Sequence, residues 1–148
     1  VQVAAVTAVN ACGNVVDYQT NEQLAGVYLK ELQKMMSYEE ALAQMENLRK
    51  LQDGNTTIAC VVTNAKLDKA QCTKIAGIAH NGYARAIHPV HTMSDGDTIF
   101  VLSTNEVEVM PDVVGILATE VIATSIRNAV LHAEGAYGLL AHKDIIKE

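Results

Sequence analysis

Two short apolar runs rich in β-branched residues, 57-TIACVVT-63 and 98-TIFVLS-103, bracket a segment with helical spacing. Within it Cys72, Ile75, Ala76, Ala79, Gly82, Tyr83 and Ala86 recur three and four residues apart, the stripe of one helix face. So many small residues on that stripe predict a helix from Asp68 to about Ile87, seated closely against a sheet. Pro89 prevents its continuation, because proline lacks the N–H and clashes with the preceding turn. A strand, a close-packed helix and a second strand restrict the chain to helices layered on a sheet, of the α/β or α+β class.

The flanking segments extend this plan. Val3 to Val9 is apolar on both faces, which predicts a buried central strand. A chain that opens inside such a strand leads us to expect an upstream part. Gly13-Asn14 breaks the run, and Val15 to Asp17 suits a short return strand. Asn21 is placed to cap a helix running to about Lys34. Ser37-Tyr38-Glu39-Glu40 is an S-x-x-E capping box that opens a helix over 38–51, with Glu46 and Lys50 in the favourable i,i+4 order. Asp53-Gly54 is a turn signal. Pro111 suits the first turn of a last helix over 112–133, which Gly135 and Gly138 terminate. The tail over 142–148 is polar and expected at the surface. The chain reads as a single domain over 1–148.

Composition narrows the function. The 148 residues carry a net charge of −6, and no basic cluster exceeds the pair Arg49-Lys50. Nucleic-acid binding therefore lacks its electrostatic footprint. Five Tyr, one Phe and no Trp supply no base-stacking platform. Cys12, Cys60 and Cys72 are odd in number and form no C-x-x-C, which favours reduced thiols in a cytoplasmic protein. The apolar start has no basic leader and is cut short by Asn10, so it reads as neither a signal peptide nor a membrane span.

Several constellations offer chemistry. His80, His88 and His91 lie near Asp95 and Asp97, but Pro89 sits inside H-P-V-H and H-E-x-x-H is absent. Backbone-bonded histidines are favoured over a metal site there. Ser94-Asp95-Gly96-Asp97 reads as a turn before a strand, or as a carboxylate pair facing a pocket. No nucleophile elbow, Walker motif or dinucleotide fingerprint is present, so no cofactor is implied. Asn55-Thr56-Thr57 stands at the head of a strand after a loop. A threonine hydroxyl needs a base, and cleavage just before it would free an α-amine of pKa about 8 on the same residue. The alternative is a turn followed by strand threonines of good β-propensity.

Read together, 9-VNACGNVVD-17, the run from Asn55 to Thr92 that opens N-T-T-I and closes A-R-A-I-H-P-V-H-T, and 95-DGDTIFVLST-104 resemble one family. It is the self-processing aminopeptidases of the D-aminopeptidase and β-peptidyl aminopeptidase group (DmpA-type), which also contains the endo-type nylon-oligomer hydrolase. The resemblance covers nearly all of the chain, and is weakest across 18–52 and after 105. It implies an αββα sandwich related to ornithine acetyltransferase, present here without its upstream part. It implies self-cleavage between Asn55 and Thr56, so that 1–55 ends a larger chain and 56–148 is a smaller one. Thr56 is then the nucleophile of an amidohydrolase or aminopeptidase. Asn10 matches an oxyanion-stabilising asparagine, and Asp95 and Asp97 match the pair that orients the nucleophile. The D-G-D form resembles the nylon-oligomer-hydrolase branch. Members carry further active-site residues upstream, including a lysine and a tyrosine, so part of the pocket is expected from another chain, segment or subunit. A homo-oligomer acting on small peptides or amides, without nucleic acid or membrane, is the implied setting. Acyl transfer and a non-catalytic interaction domain are the alternatives.

Overall fold

The computed structural model describes residues 1–37, 40, 43 and 55–146. In chain order the elements are β1 (Val3–Ala8), β2 (Asn14–Val16), β3 (Gln23–Ala25), β4 (Tyr28–Leu29), β5 (Lys34–Met35), β6 (Ile58–Ala65), α1 (Lys69–Ala86), β7 (Ile87–His88), β8 (Thr98–Val107), α2 (Pro111–His132) and α3 (His142–Ile145).

The main sheet has the order β1-β6-β8. β1 runs antiparallel to β6, from Val3 opposite Thr63 to Ala8 opposite Ile58. β8 runs parallel to β6, beginning with Thr98 opposite Ile58. Parallel neighbours need a crossover connection, and α1 supplies it. Its start is fixed by a reciprocal box: Asp68 Oδ1 accepts the Gln71 N–H at 2.7 Å, and Gln71 Oε1 accepts the Asp68 N–H at 2.8 Å. Its end comes at Ile87, which is extended and enters β7. The predicted small-residue helix is thus found with its boundaries.

α1 and α2 lie side by side on one face of the sheet. Ile75, Ala79 and Tyr83 of α1 and Val114, Ala118, Ile122 and Ile126 of α2 meet Ala59 and Val61 of β6 in one core. A Cβ on Gly82 would stand 2.6 Å from the Thr119 carbonyl oxygen, so the helix backbones are in close contact there. α2 is long and apolar enough to cross a membrane by length and composition alone, and Val114, Ala118, Ile122, Ala123 and Ile126 place its inner stripe in the core.

The opposite face of the sheet has no layer over it among the described residues. Val6 is 76% exposed, Phe100 and Leu102 58% each, Ile58 48% and Val62 40%. Among the described residues β1 is an edge strand whose exposure alternates residue by residue, where the sequence reading expected a central strand buried on both sides. β6 is the central strand, yet it too is buried on one face only.

The helix expected from Asn21 to Lys34 is also corrected, because three short strands occupy that stretch. Asn21 (φ 61°), Gly26 (φ 152°) and Gln33 (φ 49°) leave the right-handed helical region. Leu24, 3% exposed, is buried from β3, which pairs with β2. Tertiary burial overrides the local propensity there. At the capping box, Ser37 N–H donates to Glu40 Oε2 (2.8 Å) and Glu40 N–H to Ser37 Oγ (3.2 Å). The helix expected to follow over 38–51 and the Asp53-Gly54 turn lie otherwise outside the described residues. The tail forms α3, and the His142 ring lies 2.7 Å from the Leu24 carbonyl oxygen.

Candidate active site

The lead into β6 is held from both sides. Thr56 N–H donates to the Asn10 carbonyl at 2.9 Å, which continues the pairing with β1. Gly96 N–H donates to the Asn55 carbonyl at 3.0 Å and Thr98 N–H to the Thr57 carbonyl at 3.0 Å, which continues the pairing with β8. Asn55 and Asp95 form a parallel bridge. Extending both registers puts Asn10, Thr56 and Gly96 in one row across the sheet. Directly opposed residues of a ladder share a face. By the same alternation Thr56 lies on the open apolar face with Ile58 and Val62, and Thr57 lies on the helix face. Thr57 is fully buried, and its Oγ1 has no hydrogen-bond partner among the described residues.

Thr56 Oγ1 donates to the carbonyl oxygen of Asn55 at 2.6 Å. The hydroxyl is therefore already folded back on the peptide group that precedes it. A Cβ on Gly96 would stand 2.7 Å from Thr56 Oγ1, so the neighbouring strand leaves room for the hydroxyl only because residue 96 has no side chain.

The two carboxylates do different things. Asp97 Oδ1 accepts the Thr57 N–H at 2.9 Å, which fixes the amide next to Thr56. Its side chain is only 5% exposed, and its Oδ2 lies 2.9 Å from His91 Nδ1 without an aligned hydrogen bond. Asp95 Oδ2 accepts the Thr92 N–H at 2.7 Å, so this carboxylate braces the turn that delivers Gly96. Asn10 is exposed at the end of its strand.

Three aromatic rings back the site. His80 stands edge-on to His91 (centroids 4.8 Å apart) and to Tyr83 (5.3 Å). The buried Tyr83 hydroxyl lies 3.1 Å from both the Thr57 and the Thr98 carbonyl oxygens, tying α1 to the two strands beside the site. Burial, and then the negative charge of Asp97, push the Tyr83 phenol well above its ordinary value, so it serves as a donor. Burial and the neighbouring His91 hold His80 below its ordinary value, with Asp97 in partial opposition. Sequence reading placed Tyr83 only in the core stripe and His91 only among metal-ligand candidates. A tyrosine within a run of small residues was the available signal, since a buried phenol seeks a partner. Among the described residues no group of three His, Cys, Asp or Glu side chains is arranged to hold a metal ion.

Comparison with known proteins identifies the family. The sequence model of peptidase family S58 matches residues 1–143. An uncharacterised aminopeptidase of Mycobacterium tuberculosis is 32% identical over 165 aligned positions, covering 98% of this chain and 48% of that protein. An uncharacterised aminopeptidase of Mycobacterium leprae is 35% identical over 153 positions, covering 93% of this chain and 42% of that protein. A 6-aminohexanoate-oligomer endohydrolase of Paenarthrobacter ureafaciens is 31% identical over 112 positions, covering 73% of this chain and 31% of its own length. The chain thus spans about half the length of the aminopeptidases it resembles.

Proposed function

As this chain belongs to peptidase family S58, we propose that it is the nucleophile-bearing half of a self-processing amide hydrolase. Thr56 Oγ attacks the carbonyl carbon of Asn55. The C–N bond breaks as the C–O bond forms, and the hydroxyl proton ends on the departing nitrogen. Water then hydrolyses the ester, leaving a carboxylate on Asn55 and a free α-amine on Thr56. In the mature protein that amine takes the hydroxyl proton and returns it to the leaving group when Thr56 attacks a substrate amide. The observation that carries this reading is the Thr56 hydroxyl lying 2.6 Å from the oxygen of its own preceding carbonyl.

The surrounding residues have roles suited to that step. Asn10 stands in register with Thr56 and would donate its side-chain amide to the oxyanion, a contribution on the order of 3 kcal/mol. Asp97 holds the adjacent amide and thereby the direction of the Thr56 side chain. Asp95 braces the turn opposite the cut bond. The open apolar face on which Thr56 lies is where we place the rest of the layered fold, contributed by a further segment of the same precursor or by a second subunit. A substrate would then bind between the two layers. Relatives named as aminopeptidases and as 6-aminohexanoate-oligomer endohydrolases support short peptides or linear amide oligomers as the substrate class. The test is hydrolysis of both classes by the purified gene product, alongside Thr56→Ala. We expect the variant to lose at least ~10³-fold, as for removal of a covalent nucleophile. Retained hydrolysis would refute the assignment.

A further inference from the structure

We propose that the backbone N–H of Gly96 is the second donor to the oxyanion, and acts on the chain's own peptide bond before it acts on any substrate. This rests on the self-cleavage reading above. The Gly96 N–H already points at the oxygen of the Asn55 carbonyl, the group that becomes tetrahedral, at 3.0 Å. When Thr56 Oγ adds to that carbon, the oxygen stays near its place while its charge rises. A donor fixed in a sheet needs no reorganisation to meet that charge. Gly96 and Asn10 flank Thr56 from opposite sides of the same row, so one donor comes from each neighbouring strand.

The choice of glycine fits this role. The Gly96 φ lies outside the left-handed region, so its backbone is open to other residues, and only space requires glycine here. A Cβ would meet Thr56 Oγ1 at 2.7 Å, and the other contacts it would make are ordinary at 3.6 Å and beyond. The position thus brings a backbone donor beside the nucleophile with no side chain between them. The consequence extends past maturation. The ester formed in self-cleavage is an acyl group on Thr56 Oγ, and so is the intermediate formed from a substrate amide. Once Asn55 departs, the same N–H is released to receive the substrate carbonyl.

A sheet ladder would form this hydrogen bond whether or not it took part in chemistry, and the test must separate the two. Cell-free translation of the intact gene product with glycolic acid at position 96 replaces the N–H by an ester oxygen and leaves every side chain in place. The matching ester at Thr98 removes the neighbouring ladder bond, from Thr98 N–H to the Thr57 carbonyl. We expect self-cleavage to slow by about 100-fold or more for the position-96 ester, and by less than about tenfold for the position-98 ester. Equal slowing of both, or an unchanged rate at position 96, would overturn the role of Gly96 and leave the self-cleavage reading standing. An unmodified product that never cuts before Thr56 would overturn both.

Discussion

At the scale of single residues, the site depends on a hydroxyl with very little room. Gly96→Ala should leave the fold intact, because its only severe contact is with Thr56 Oγ1. Pushing that hydroxyl about 30° from its rotamer costs roughly 1 kcal/mol, which predicts self-cleavage slowed by about fivefold in a time course followed by gel. His80 makes a second prediction at this scale. His91, Asp97 and Tyr83 surround it, and burial with the His91 charge holds it below its ordinary value of 6.5. The unfolded chain therefore takes up the proton first. Stability from this residue is present above about pH 6.5 and is lost progressively as the pH falls from there through the lower folded value. Urea midpoints should decline between pH 7.5 and pH 5.5, and the decline should be shallower in His80→Asn. An equal slope in the variant would show that His80 is not the group responsible.

At the scale of elements, the two long helices were legible and the segment before them was not. α1 announced itself through Asp68, its small-residue stripe and Pro89, all of which act within the element. The Asn21 to Lys34 stretch has no such internal logic. Leu24 is buried by pairing with β2 and by packing, and these are contacts made at long range in sequence. β1 shows a related limit. Its residues are apolar on both faces, but sequence alone does not say which face is covered by which part of the molecule. The glycines of α1 give a clean test of the packing. Gly77 has nothing within 4 Å of an added Cβ, whereas Gly82 would drive one to 2.6 Å from the Thr119 carbonyl oxygen. Thermal unfolding should show Gly77→Ala stabilised by up to about 1 kcal/mol and Gly82→Ala destabilised by about 1–3 kcal/mol. Similar effects at both positions would contradict the close α1–α2 contact.

At the scale of the whole molecule, the described residues form a helix layer on one sheet, with the other face of that sheet apolar and bare. An exposed apolar face of this kind is one that an interface would cover, and we propose that the rest of the layered fold covers it. Val6, Ile58, Val62, Phe100 and Leu102 lie there, on the face that Thr56 shares. If the remaining layer packs on that face, Phe100→Asp should sharply reduce the soluble yield of the intact gene product, since it would bury an unpaired carboxylate. An unchanged yield would show the face to be free. Of the candidate site, Thr56, Asp95 and Asp97 were weighed from the residues themselves, whereas Asn10 and the roles of the two aspartates came only from the family resemblance; the two strand registers bring the four backbone positions together at the head of β6. The supporting group of His91 and Tyr83 was not identified, because its members come together only when α1 lies on the sheet. The most direct measurement of the central claim is the intact mass of the purified gene product, with N-terminal sequencing of its fragments. The account predicts two chains, the smaller beginning at Thr56, and a single uncut chain for Thr56→Ala. A fully active wild-type protein that remains uncut, or a variant that still divides before residue 56, would contradict it.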